Sequence, residues 1–477
     1  MKFKKLAVLC SLLVCSFFVF AACQDLPTLK DGPAAGAPVY GNGGMSVVKG
    51  DYLYFVNGYT SYSSIAVGEN DGKAEYPVLY RVKLGSDGRV VVKVEYDDDG
   101  EVIFDRAQTI KNADIISRKI VGFEHMGIYI FGDYIYYASP NNQRTGNQQL
   151  RSDLIDFWRS KLDRSSNPER LYTTSAPGTS VQYTMQENGN KVYLQIVDGT
   201  KISLVTINAN GRMDGKPKTL AEDVQAAVLP KIENYSSAGG IATPDTATLS
   251  FNKNIYYTRA VTEDDNVAIV RGNVLCRVNI ESSAKTELFT DGNSISLMGI
   301  EGAGIFYTRN SRLYFNDVSG GSSNFFSGER ELTTRSLSTA VYVNNILGKG
   351  VVGSDGNNLW YIVNNTEQLL LNESISQILR LQGNWLYYLN GGAVMRVNIA
   401  SSAVEEVVGA HENALLNGVS YVGFDHTWLY YMKRYTNENG ESYYMHRVDV
   451  TIKQGDGTFY SEFVGVMREQ DWLPEQE

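Results

Sequence analysis

Few residues in this 477-residue chain have the types and spacing to do chemistry. It has four cysteines and four histidines. Cys10, Cys15 and Cys23 cluster near the N-terminus, and Cys276 alone lies in the body, so the body can form no intrachain disulfide. As a thiolate Cys276 would be a nucleophile, but it sits in an apolar run beside Val274 and Leu275, where a thiol packs as a small hydrophobe. His125, His411, His426 and His446 show no metal-ligand spacing, and there is no HExxH or CxxC. The run Tyr96-Asp97-Asp98-Asp99-Gly100-Glu101 offers oxygen ligands without the alternation of a calcium loop. An Asp-Gly hairpin turn explains it. Ser354-Asp355-Gly356 before Trp360 lacks the Ser-x-Asp-x-Gly spacing of an Asp-box, and no Gly-x-Ser-x-Gly nucleophile turn is present. The expectation is a protein with no resident metal or cofactor and no catalytic set, a binding module before an enzyme.

Cys23 draws its chemistry from its neighbours. A basic start (Lys2, Lys4, Lys5) precedes an uncharged apolar run from Leu6 to Phe20, then Ala21 and Ala22. The run is short for a membrane span, which takes about 20 apolar residues. Small residues ahead of a cysteine fit a signal-peptidase groove, and the thiol can accept a diacylglycerol. Phe20-Ala21-Ala22-Cys23 resembles the bacterial lipobox, with Phe20 where Leu is commonest. The resemblance implies a signal peptide over 1–22, lipidation at Cys23 and an extracytoplasmic, membrane-anchored protein. Segment 23–44, with Pro27, Pro33, Pro38 and little apolar bulk, reads as a flexible tether. Removing three signal lysines takes the formal charge from −10 to −13, which disfavours nucleic acid and anionic lipid as ligands.

The body, 45–466, reads as a repeat ahead of a C-terminal tail over 467–477. An aromatic stretch recurs eight times, as Tyr52-Leu53-Tyr54-Phe55, Tyr134-Ile135-Tyr136-Tyr137, Lys191-Val192-Tyr193-Leu194, Ile255-Tyr256-Tyr257, Ile305-Phe306-Tyr307, Leu359-Trp360-Tyr361, Trp385-Leu386-Tyr387-Tyr388 and Trp428-Leu429-Tyr430-Tyr431. Several copies follow tight turns such as Gly50-Asp51, Gly132-Asp133 and Gly383-Asn384, which marks a strand leaving a hairpin. A second element carries Leu79-Tyr80-Arg81-Val82, Leu275-Cys276-Arg277-Val278, Val394-Met395-Arg396-Val397 and Met445-His446-Arg447-Val448, with Phe157-Trp158-Arg159 as a degenerate copy. Each unit is therefore four short strands, A to D. In the first they are expected at 45–49, 52–56, 78–84 and 89–94. The only segments with any helical character are 107–118 and 152–161.

A four-stranded sheet that is apolar on both faces needs a neighbour on each side, and radial repetition supplies one. The predicted fold is all-β, a β-propeller of six to eight blades, with eight favoured by the count of hairpin signatures. The aromatic hairpin followed by the Leu-Tyr-Arg-Val strand resembles bacterial surface-lipoprotein repeats related to YWTD-type propellers, over roughly 41–465. That resemblance implies the fold and leaves activity open. Cys276 and His446 share a packing position with Tyr80 and Met395, and Arg81, Arg277, Arg396 and Arg447 recur as a structural ion-pair position.

Function is expected where the repeats differ. Long insertions are placed at B–C connections (57–77, 139–154, 259–272, 433–441) and D–A connections (95–120, 226–246). Both connection types emerge on one face of a meander, whose loops can carry recognition. The candidate binding rim is Tyr59, Tyr62, Asn141, Asn142, Arg144, Tyr235 and Tyr435, residue types suited to an envelope protein or a carbohydrate. The alternative is an envelope-associated hydrolase or lyase with its site in the propeller tunnel.

Overall fold

A computed structural model describes residues 26–57, 59–60, 78–90, 113–120, 127–141, 154–208, 211–230, 235–236, 243–244, 251–263, 266–291, 295–301, 304–310, 312–318, 325, 327–337, 339–345, 348–363, 366–410, 422–424, 427–437 and 440–464. They form eight antiparallel sheets, each built around four strands that pair in meander order A-B-C-D. Blade 1 comprises Ser46–Lys49, Tyr52–Asn57, Val78–Lys83 and Asp114–Ser117. Blade 3 is the most regular, with Val181–Asn188, Lys191–Asp198, Lys201–Asn208 and Lys218–Ala221. Blade 8 comprises Val422–Phe424, Trp428–Asn437, Gly440–Lys453 and Phe459–Phe463. First strands of successive blades touch one another, so A strands line the axis and D strands the circumference.

Alternation along strand B explains the ring. Its side chains point to opposite sheet faces in turn, and each face is covered by a different neighbour. Leu386 and Tyr388 of blade 7 pack with Val352 and Leu359 of blade 6, whereas Tyr387 between them packs with Leu429 and Tyr431 of blade 8. Equivalent clusters join blades 2 to 3, 3 to 4, 4 to 5 and 5 to 6. One further cluster joins blade 1 to both blade 2 and blade 8, which closes the circle. The fold is an all-β propeller of eight blades.

The recurrent arginine is a structural device. Arg81, Arg159, Arg396 and Arg447 lie on strand C, each opposite a tyrosine on strand B and an acid on strand D. The acids are Asp114, Glu169, Glu405 and Glu462. Each guanidinium also lies over the ring that opens the aromatic motif: Tyr52, Tyr134, Trp385 and Trp428. This sandwich satisfies a buried charge from three sides. Two of the arginines reach the next blade: Arg396 donates to the Val450 carbonyl at 3.0 Å and Arg447 to that of Gly88 at 2.7 Å.

Closure uses no exchanged strand among the described residues: blade 8 supplies all four of its own. Instead Tyr59–Thr60, just past strand B of blade 1, adds to the edge of strand C of blade 8. The buried Asn57 side chain accepts the Met445 amide at 2.7 Å. Arg89 lies over the Tyr460 ring.

Several sequence expectations are corrected. Strand D of blade 1 is Asp114–Ser117; of the expected 89–94 strand, Val90 forms an isolated bridge with Leu84 and 91–94 lie outside the described residues. The expected helical segments contain strands, Asp114–Ser117 and Ile155–Lys161, because both supply sheet edges with ladder partners. The Trp360 motif is strand C of blade 6, not strand B, which is Gly348–Ser354. That explains why the Trp360 and Tyr387 motifs fall so close together. The segment expected as a free tether is laid on the body from Leu29 onward. Leu29, Val39 and Tyr40 pack against the blade 1 core, and Val39–Tyr40 adds a strand to the axial edge of blade 1. Asn42 then pairs both ways with the backbone of Ile130 in blade 2, at 2.7 and 3.1 Å. Exposed A-strand edges offer unpaired backbone groups, and this segment satisfies those of blades 1 and 2.

Candidate functional site

Among the described residues, the two longest hairpins leave the same face. In blade 7 the B–C hairpin ends at the pair Asn390–Ala393. The matching pairs in blades 4 and 8 are Arg259–Val274 and Lys433–Tyr444, and both ladders run further. Blade 4 continues through Ala260–Asn273 to Glu263–Asn266, and blade 8 through Arg434–Tyr443 to Asn437–Gly440. Four extra residues on strand B extend each arm by about 13 Å at 3.3 Å per residue, and in blade 4 the facing strand bulges to add eight. Blades 4 and 8 are half a ring apart, so the arms stand opposite one another across the axis. Segments expected as loops, 259–272 and 433–441, are these arms. Arg434-Tyr435-Thr436 and Glu441-Ser442-Tyr443 flanking a polar turn carried the hairpin signal in the sequence.

The blade 8 arm is broadened by blade 1. Ser442 pairs with Tyr435 on one side and with Thr60 on the other, and Tyr443 pairs with Tyr59. Tyr59 and Tyr435 are thus brought onto one three-stranded patch. The other candidates separate from it. Asn141 is buried, and its side chain donates to Asp156 Oδ1 at 2.9 Å while its backbone amide donates to Leu154. It closes the base of its loop. Tyr235 pairs with Pro244 in a two-residue ladder between strands A and B of blade 4. Val224–Val228 is strand A, so 229–253 is an A–B connection and emerges on the opposite face. The 84–113 segment is a C–D connection and emerges there too. The one-sided placement of long insertions is therefore corrected: they lie on both faces. Tyr62, Asn142 and Arg144 lie outside the described residues, as do His125, His411, His426 and the 96–101 acidic run.

Ionisable groups elsewhere serve packing. Cys276 is buried in the blade 3–4 cluster, and burial pushes its thiol above the ordinary range. Lys49, on the axial strand of blade 1, donates to the Gly132 carbonyl of blade 2 at 2.5 Å. Burial lowers its pKa, against the pull of Asp133 and Glu187, and burial raises that of Glu187. Asp355 accepts from the amides of Asn357 and Asn358 and from the Trp360 indole at 3.0, 2.8 and 2.7 Å. Burial works against its charge, yet these donors hold its carboxyl down at about 2. Arg335 lies 3.6 Å from the Trp360 ring centroid and pairs with Asp355 and Glu367. The network is saturated by its own members and pins a turn. Among the described residues no group of three His, Cys, Asp or Glu could hold a metal.

No family model matches the sequence, and no curated protein does. Solved structures of propellers do. Apo AztD from Citrobacter koseri shows 8% identity over 86% of this chain and 93% of its own, with a TM-score of 0.42. The β-propeller domain of the Trilobed protease from Pyrococcus furiosus shows 8% identity over 93% and 100%, with a TM-score of 0.39. The Pyrococcus horikoshii acylaminoacyl peptidase shows 10% identity over 69% of this chain, with a TM-score of 0.39, and the match spans 50% of that peptidase.

Proposed function

We propose that the protein is a lipid-anchored envelope lipoprotein whose propeller is a binding or scaffold module for a protein or carbohydrate. The observation that carries the binding role is the pair of opposed β-arms, one widened by Tyr59–Thr60, on the B–C face. The blade 8 arm, with Tyr435 and Tyr443 among polar residues and Tyr59 paired beside it, suits recognition, because tyrosine supplies contact area at low entropy cost. The anchor reading rests on Phe20-Ala21-Ala22-Cys23.

Trimming either arm to the length of the blade 7 hairpin should weaken capture of envelope proteins or glycans, while the unfolding midpoint changes little. Cross-linking in the native envelope and a glycan array read the loss. Unchanged capture by both trimmed variants would remove the arms from the reading. For the anchor, Cys23→Ala should abolish incorporation of radiolabelled palmitate. Lipid labelling is the decisive readout, since an uncleaved signal could hold the variant at the membrane. Undiminished labelling would refute acylation at Cys23.

A further inference from the structure

We infer that the face bearing the A–B and C–D turns lies against the lipid surface, and that both β-arms point away from it. The inference rests on acylation of Cys23. Its independent observation is where the N-terminal segment is tied. The Leu29 amide donates to the Asp163 carbonyl at 2.8 Å, in the C–D turn of blade 2. The Leu29 side chain packs on the blade 1 core. Further on, the Gly50 amide donates to Pro38 at 3.1 Å, which lays the segment against the A–B turn of blade 1. Gly50 has φ +58, and a Cβ there would stand 3.1 Å from that of Ala37, so the contact is close. The segment thus crosses the A–B/C–D face from the rim at blade 2 toward the axis, where Val39–Tyr40 and Asn42 join blades 1 and 2.

Reach decides the orientation. Cys23 stands six residues before Leu29, which fully extended spans about 20 Å. A blade strand of six to eight residues is about 20–26 Å tall, and an arm adds about 13 Å. An acyl chain on Cys23 would have to reach about 35 Å or more from Leu29 to bring an arm tip to the headgroups. It cannot, whereas the Asp163 and Gly50 turns fall within its range. The partner of this face is a bilayer surface, and the arms are left free for a partner in the aqueous space.

The test uses the full-length lipidated chain in phosphatidylethanolamine and phosphatidylglycerol vesicles that contain a rhodamine-headgroup lipid as energy acceptor. In a Cys276→Val background, a donor dye is placed at Ser166→Cys in the exposed C–D turn of blade 2, or at Asn437→Cys or Glu263→Cys on the arms. Transfer from position 166 should exceed transfer from both arms by about twofold, given a height difference of about 35 Å. A spacer of about twenty Gly and Ser residues inserted after Asp25 should shrink that difference. Equal transfer from all three sites of a chain that carries lipid, or greater transfer from an arm, overturns the orientation and leaves the anchor standing. A chain that takes up no palmitate overturns the anchor reading, and the orientation with it.

Discussion

Arg447→Ala should destabilise the propeller by about 3–5 kcal/mol in denaturant unfolding, the cost of removing one member of a buried ion pair. Arg447 is fully buried. Its Nε donates to Glu462 at 2.7 Å, a second nitrogen donates to the Gly88 carbonyl at 2.7 Å, and a third to the Tyr430 hydroxyl at 3.4 Å. The guanidinium carbon stands 3.8 Å from the Trp428 ring centroid. Truncation therefore leaves Glu462 without its cation and the Gly88 carbonyl without its donor, and opens a void beside Trp428. Arg312→Ala should cost under about 1 kcal/mol, because the Arg312–Glu331 pair is solvent-screened. Its side chains are 52% and 33% exposed, against 0% and 16% for Arg447 and Glu462. Arg447→Lys should recover little, since an ammonium cannot hold the Glu462 fork, the Gly88 carbonyl and the indole face together. The Gly88 contact spans the junction of the last and first blades. Hydrogen exchange should therefore accelerate first in blades 1 and 8. Equal costs for the Arg447 and Arg312 variants would show that the sandwich contributes only as a surface pair.

That network was legible in the sequence to the extent that it repeats. The strand C arginine recurs before Val as Arg81, Arg277, Arg396 and Arg447, which identifies a position set by packing, with Arg159 before Ser160 as the degenerate copy, and the aromatic hairpins identify strand B. The acids on strand D carry no comparable repeating motif. Asp114 follows a long connection, and its strand pairs only through Leu79, Tyr80 and Arg81. Blade 6 misled for a physical reason: strand B there reads Gly-Lys-Gly-Val-Val-Gly-Ser, with almost no aromatic signal, so the motif on strand C stood in for it. The arms fall where the repeat predicts a turn, so the polar sequence of the blade 8 arm reads as loop, and in blade 4 the acidic Glu263-Asp264-Asp265 turn signal masks the apolar Val267-Ala268-Ile269-Val270 run that follows. They become strands because each continues an established ladder, so every added pair costs no new nucleation. Long-range pairing such as Tyr59 with Tyr443 has no local signature at all. Asn141 shows the converse: a polar residue beside an insertion looked like a ligand contact, whereas Asp156 gives it a buried partner.

Acid should begin to destabilise the protein near pH 6.5, well above the range in which carboxylates titrate, and His446 should account for it. His446 occupies the strand C position held by Tyr80, Cys276 and Met395 in other blades. Its ring lies between Tyr431 and Phe463, with centroids 5.6 and 5.2 Å away. Burial, reinforced by the nearby Lys433 charge, pushes its pKa down to about 3 from an ordinary value of 6.5. The folded chain thus refuses a proton that the unfolded chain accepts. The stabilisation is complete above pH 6.5 and is lost as pH falls from there toward about 3. Each pH unit in that window removes about 1.4 kcal/mol, which amounts to roughly 3 kcal/mol by pH 4.5. Asp355 acts in a separate, lower window: its folded pKa is about 2 against an ordinary 3.8, so its contribution is present above pH 4 and fades only below it. His446→Met installs the side chain that blade 7 uses at the same place. It should flatten stability between pH 6.5 and 4.5 and leave the steeper loss below pH 4 in place. Denaturant midpoints measured across pH 4–8 for both chains decide the matter. If the variant keeps the wild-type slope between pH 6.5 and 4.5, His446 is not the group held neutral in the core.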